Sequence, residues 1–139
     1  MHALPRTAST LRRAALAASG LLLALAVCAG EDTASDDAIG SQELAARIAA
    51  GDAPLILDVR TPEEFADGHL PGARNVPHDA LAGRLDELPV AEDDEIVVHC
   101  HSGRRATAAE EVLRDAGFTH VRDLTGHWEE WKRSGLPTE

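Results

Sequence analysis

Two hydrophobic patterns alternate along the chain from Ile39 onward. Short apolar runs mark buried strands, first Leu55-Ile56-Leu57-Asp58-Val59 after Pro54, then Glu95-Ile96-Val97-Val98-His99. Between and after them, apolar residues recur at helical spacing. Ser41 is placed to cap a helix that carries Leu44 and Ile48 on one face and stops at Gly51. Thr61-Pro62-Glu63-Glu64 has the form of a capping box with Pro at the first helical position, and Gly68 ends that short turn of helix. Leu70-Pro71-Gly72-Ala73 reads as a turn and Asn75-Val76-Pro77 as a short extended piece. Leu81, Leu85 and Leu88 predict a further helix closed by Pro89. Ala106, Ala109, Val112, Leu113 and Ala116 line one face of another, stopped by Gly117. Val121 and Leu124 mark a strand, and a last helix around Trp128 and Trp131 ends at Gly135 and Pro137.

Strands alternating with helices predict an α/β fold, an open parallel sheet with helices on both faces. In such sheets sites form at the carboxyl ends of strands. Cys100 stands at such a point, after an apolar strand and before a helix.

The N-terminal pattern is different. Arg6, Arg12 and Arg13 precede an apolar run of 16 residues, Ala14 to Ala29, with small residues at its end. This is the form of a secretory signal, and it is shorter than the roughly 20 apolar residues of a spanning helix. Residues 1–29 are therefore expected to be an export signal, with the domain at 39–137 working in the periplasm or cell envelope. Leu25-Ala26-Val27-Cys28 also resembles a lipoprotein box, in which Cys28 is lipidated and anchors the chain. Val27 stands where that box favours a small residue, and simple cleavage after Ala29 fits equally well. Residues 30–38, acidic and without apolar periodicity, read as a linker.

All 24 acidic residues lie beyond position 30, against 10 basic ones, so the remaining chain carries a net −14. That excludes nucleic acid or an anionic membrane surface as the expected partner, since both demand basic patches. The same arithmetic makes the thiols conspicuous. With Cys28 in the signal, Cys100 is the domain's one cysteine, so no internal disulfide framework forms. A lone thiol in an oxidising compartment is exposed to oxidation, and its presence there implies burial or chemical use.

The loop Cys100-His101-Ser102-Gly103-Arg104-Arg105 favours use. A thiol attacks as its thiolate, and backbone N–H groups at a helix N-terminus stabilise an anion. Gly103 permits a positive φ and close approach, so the loop can curl its donors around one atom as an anion nest. Arg104 and Arg105 add positive charge that draws in an anionic substrate. The plainer reading is a small core residue followed by an ordinary helix start; the combination of strand, Cys, Gly, Arg, Arg and helix outweighs it. His99, Cys100 and His101 are adjacent on an extended segment and point to alternate faces, so no metal site is expected there. Asp58 and Arg60 flank the end of a buried strand and read as structural support for the loop. Trp128 and Trp131 read as packing anchors.

Several of these segments resemble the rhodanese family. They are Leu55-Ile56-Leu57-Asp58-Val59-Arg60, Thr61-Pro62-Glu63-Glu64-Phe65, Gly68 to Pro77, Val97 to Ala106, and Leu124-Thr125-Gly126-His127-Trp128-Glu129-Glu130-Trp131. The resemblance covers about residues 39 to 137. It implies a rhodanese-like open five-stranded parallel sheet, acting as a monomer without metal or organic cofactor. It also implies a sulfurtransferase, with Cys100 as the catalytic nucleophile carrying a persulfide and the loop from His101 to Arg105 (His101, Ser102, Gly103, Arg104, Arg105) binding the substrate. The implied partners are a small sulfur donor such as thiosulfate and an acceptor such as cyanide or a thiol. Two other readings belong to the same fold: a module that binds partners or carries sulfur for them, and a phosphatase or arsenate reductase. Those last enzymes use a loop of the form Cys-x5-Arg, whereas Arg105 gives Cys-x4-Arg here. The sequence departs from the family at Glu64, where the dedicated thiosulfate enzymes carry Arg, at His101, where a stronger base is common, and at His127, which replaces the second Gly of the closing pair.

The export reading yields a direct test. The intact mass of the native protein is expected to show a chain beginning at an acylated Cys28 or near Gly30; a native chain that retains Met1 contradicts it.

Overall fold

The computed structural model describes residues 36–139. The expected export signal at 1–29, including Cys28, lies outside the described residues, as does most of the acidic linker. Elements follow in the order β1 (Ala38–Ile39), α1 (Ser41–Ala50), β2 (Leu55–Asp58), α2 (Pro62–Ala66), β3 (Arg74–Asn75), β4 (Glu95–His99), α3 (Arg104–Asp115), β5 (His120–Leu124) and α4 (His127–Arg133). The five strands form one parallel sheet in the spatial order β1-β5-β4-β2-β3. This is the α/β architecture expected from the sequence. Because every strand runs the same way, the residues following β2, β3, β4 and β5 emerge at one edge.

Side chains on a strand alternate between the two faces of the sheet, so each apolar run feeds two cores. On one face Leu57, Ile96, Val98 and Val121 pack against Ala106, Ala109 and Leu113 of α3 and against Leu81 and Leu88. On the other, Ile56, Val97 and Leu124 meet Leu44 of α1 and Trp128 and Trp131 of α4. Each fully buried large side chain contributes roughly 1.5–3 kcal/mol, which is why both strand faces must be apolar. Helices α1 and α3 end as their glycines demand: Gly51 takes φ 73° and Gly117 φ 103°.

Two expectations need correcting. Leu81, Leu85 and Leu88 do not ride on an α-helix; they lie on and beside two 3-10 turns, Leu81–Gly83 and Leu85–Glu87. The segment is short, has Gly83 in its middle and Pro89 at its end, and so lacks the length to nucleate an α-helix. Two successive 3-10 turns still bring Leu81 and Leu88 into the core, with Leu85 packed against it. Ser41 does not cap α1. Gly40 occupies the cap position without a side-chain bond, and the Ser41 hydroxyl donates instead to the carbonyl of Thr125 at 3.3 Å. The predicted box at Thr61 is formed as read: Thr61 Oγ1 accepts from Glu64 N at 3.2 Å, and Glu64 Oε2 accepts from Thr61 N at 3.0 Å.

One buried polar cluster ties α3 to β5. Glu110 is 8% exposed and faces Asp123, while Arg114 donates to Glu110 at 3.2 Å and to the carbonyl of Val121 at 3.1 Å. Burial, then the nearby Asp123 carboxyl, push Glu110 up to about 7. Burial likewise raises Asp123. A carboxyl whose folded value is raised stabilises the fold while protonated; that contribution is complete below its ordinary value of 4.5 and is lost as pH rises through about 7. Glu110→Gln, which cannot ionise, is therefore expected to raise the thermal midpoint at pH 8 by roughly 4–8 °C, the shift about 1 kcal/mol produces in a domain of this size, and by less at pH 5. A gain that is equal at both pH values, or absent, contradicts the assignment.

Candidate active site

Strand β4 ends at His99, and the chain must turn from the sheet into α3 within four residues. Cys100 begins that turn and Gly103 ends it, with φ 125° and ψ −32° at the helix cap. The curl brings the Gly103 N–H to within 3.0 Å of Cys100 Sγ, donating to it. Gly103 is required twice: its φ suits no L side chain, and an added Cβ would sit 2.9 Å from His127 Nε2. The thiol is 1% exposed but lines an open pocket of about 420 Å³ with His78, Ser102, Arg104, Arg105 and Ala108. A sulfur at the N-terminus of a twelve-residue helix, with a backbone donor in place, is held where an anion is favoured.

The two arginines of the loop have different surroundings. Arg104 is exposed at the pocket rim and has no carboxylate partner among the described residues. Arg105 is engaged: its Nη1 and Nη2 donate to the two Glu64 oxygens at 2.6 and 2.9 Å. The fork-to-fork hydrogen bonds from Arg105 hold the Glu64 carboxyl down to about 2, against the opposing effect of burial. Glu64 is itself held by the Thr61 box at the start of α2. The residue that departs from the dedicated thiosulfate enzymes is thus the partner of the loop arginine, and it takes up much of the charge that the sequence assigned to substrate.

The other predicted residues divide. Ser102 is exposed and lines the Cys100 pocket. The His101 side chain does not enter it. His101 faces Glu129 at 3.1 Å and lines a neighbouring polar pocket of about 240 Å³ with Arg60, Glu64, Asp67, Trp128 and Lys132. Asp58 and Arg60 also lie outside the Cys100 pocket, as a buried ion pair beneath the loop. Arg60 Nη2 donates to Asp58 Oδ2 at 2.6 Å and to the carbonyl of Gly68 at 2.8 Å, and its guanidinium stands 4.5 Å over the Trp128 ring. Trp128 N–H in turn donates to the carbonyl of Cys100 at 3.1 Å, and Glu129 N–H to that of His101 at 3.3 Å. The first turn of α4 therefore holds the loop's carbonyls. His99 is fully buried, 3.6 Å from Asp58, and burial pushes it down to about 4, so it is neutral at pH 7. No group of three or more His, Cys, Asp or Glu among the described residues is arranged to hold a metal ion.

Three residues beside the loop were given no site role in the sequence. His78 lines the pocket beyond the end of β3, and its position at the carboxyl edge of the sheet was the available signal. Glu64 was read as a capping residue and as a departure from the family, but its bond to Arg105 spans 41 positions and has no local signature. His127, noted only as a departure, lies against the loop: Cys100 N–H donates to His127 Nδ1 at 3.4 Å.

Comparison with known proteins places this geometry. The model of the rhodanese-like domain matches residues 41–134. A chloroplastic protein of Arabidopsis thaliana named thiosulfate sulfurtransferase 16 is 42% identical over 93 residues, covering 60% of this chain and 78% of the relative. A protein of Allochromatium vinosum named sulfurtransferase is 36% identical over 99 residues, covering 71% and 91%. Among solved structures, the rhodanese-like domain of an Anabaena protein superposes with a TM-score of 0.67 at 33% identity, covering 74% of this chain and 78% of that one. A family match over nearly the whole described fold, with the cysteine loop at the edge where parallel sheets place their sites, establishes that this chain belongs to the rhodanese family.

Proposed function

We propose that this rhodanese-family sulfurtransferase moves a sulfane sulfur from thiosulfate or a related donor to a thiophilic acceptor, through a persulfide on Cys100. The observation that carries the reading is the 3.0 Å bond from Gly103 N–H to Cys100 Sγ under the start of α3. A backbone donor fixed there stabilises negative charge on the sulfur when it leaves in the second half-reaction, without rearrangement of the loop. In the first half-reaction the Cys100 thiolate attacks the outer sulfur of the donor. The donor's S–S bond breaks, and sulfite departs with the electron pair. In the second, cyanide or a thiolate attacks the outer sulfur of the persulfide and Cys100 leaves as thiolate. Neither step changes the net electron count, so no redox cofactor is called for.

The pocket's charge suits a small anionic donor. Arg104 stands at its rim without a carboxylate partner among the described residues, whereas two of the five donors of Arg105 are taken by Glu64. The short loop, Cys-x4-Arg, supports sulfur transfer over phosphate or arsenate chemistry.

The purified chain is expected to convert thiosulfate and cyanide to thiocyanate and sulfite, and Cys100→Ser to abolish the reaction. Turnover undiminished in that variant sinks the proposal; no turnover in the native chain, with sulfur still loaded on Cys100, assigns it to carriage instead. Arg104→Ala is expected to raise KM for thiosulfate roughly tenfold with little change in kcat, the signature of a lost ground-state contact to charge. An unchanged KM removes Arg104 from the site.

A further inference from the structure

His127 is the one non-glycine residue at positive φ among the described residues, at 51°. It opens α4 directly after Gly126, itself at φ 75°. Left-handed backbone disfavours a residue with a Cβ, and glycine would take it without strain. The imidazole is also only 10% exposed, so a polar ring has been taken from water to sit in disfavoured backbone. A residue kept on such terms needs compensating contacts, and its contacts lead to Cys100.

The ring touches the nucleophile's backbone directly. Nδ1 accepts from the N–H of Cys100 at 3.4 Å. The next residue completes the hold, because Trp128 N–H donates to the carbonyl of Cys100 at 3.1 Å. Two consecutive residues of α4 thus take both polar backbone groups of the cysteine. The other edge of the ring bears on the loop's end: the space a Cβ on Gly103 would need is filled by His127 Nε2. Nε2 also faces Asp123 Oδ1 at 3.5 Å. A backbone N–H can only donate, so Nδ1 carries its lone pair and the ring proton sits on Nε2, toward Asp123.

We infer that His127 is a positioning residue for the Cys100 loop, fixing the backbone of the nucleophile through Nδ1 and the turn at Gly103 through its Nε2 edge. The inference rests on the reading of Cys100 as nucleophile. Burial pushes the imidazole below its ordinary value, opposed by the nearby Glu110, so the accepting neutral form prevails at pH 7. Asp123 on β5 orients the ring as a carboxylate orients imidazole elsewhere, but the group held is a backbone N–H rather than a reacting atom. His127 therefore acts on geometry and not as an acid or base.

Three versions of the full chain test this: native, His127→Gly and His127→Asn. Glycine suits the backbone but has no acceptor; asparagine tolerates left-handed backbone and offers Oδ1 near the place of Nδ1. Two rates are read on chains shown to be folded by dichroism and thermal melting: alkylation of Cys100 by iodoacetamide, and kcat and KM for sulfur transfer from thiosulfate to cyanide. His127→Gly is expected to lose about ten- to hundredfold in alkylation and in kcat, with KM for thiosulfate within twofold of native, and His127→Asn to recover most of that loss. A glycine variant within twofold of native in both rates overturns the inference. So does an asparagine variant no faster than the glycine one. Alkylation needs no sulfur donor, so a native chain that alkylates but transfers no sulfur defeats the proposed function while leaving the role of His127 readable.

Discussion

The Arg60 side chain is 2% exposed, and a guanidinium cannot shed its charge at any physiological pH. Enclosing it is tolerable only if every direction it faces supplies compensation. Asp58 supplies the counter-charge, Gly68 a carbonyl from beyond α2, and Trp128 the face of its ring. Those partners come from three separate parts of the chain. Satisfying one buried cation therefore fixes the end of β2, the turn after α2 and the start of α4 relative to one another. Removing one partner of such a pair typically costs about 3–5 kcal/mol, a large share of the stability of any small domain.

The cysteine loop is built on that frame through intermediates rather than through a hydrogen bond to the ion pair among the described residues. Trp128 presses on Arg60 with its ring and holds the carbonyl of Cys100 with its backbone N–H. Val59 N–H, between Asp58 and Arg60, donates to the carbonyl of His99 at 3.0 Å and so pins the last residue of β4. On the far side, α2 carries Glu64 to Arg105 and fixes the start of α3. Cys100 thus has few contacts of its own, and the groups that make them are held in turn by other parts of the fold. Preorganised donors of this kind favour an anion because they need no rearrangement when charge appears.

Much of this was legible in the amino-acid order. Leu55 to Val59 and Glu95 to His99 read as strands buried on both faces, because the runs are apolar at successive positions, too short for helices and rich in Ile and Val. Gly103 between a strand and a helix marked the place where backbone N–H groups gather, and Cys100 stood beside it. Thr61 and Glu64 announced their capping box through local spacing. What stayed hidden depended on tertiary pairing. Glu64 and Arg105 are far apart in sequence, and nothing near either predicts that they meet. Ser41 looked like a cap but bonds to Thr125, which only the parallel pairing of β1 with β5 brings near. Leu81, Leu85 and Leu88, at i, i+4 and i+7, were read as a helix; all three pack on the core, but their spacing could not distinguish a helix from two 3-10 turns. The family resemblance placed His101 in the substrate loop, and the direction of its side chain, toward Glu129, has no local signature.

The proposed sulfur transfer comes down to one event at this edge of the sheet: Cys100 takes up a sulfur from a donor and gives it up again. Mass spectrometry of the folded chain after exposure to thiosulfate tests it most directly, with the added mass assigned to a peptide. The account predicts a gain of one sulfur atom on the peptide bearing Cys100, lost again on adding cyanide. A peptide that gains nothing from any sulfane donor, or a sulfur carried elsewhere in the chain, would contradict it.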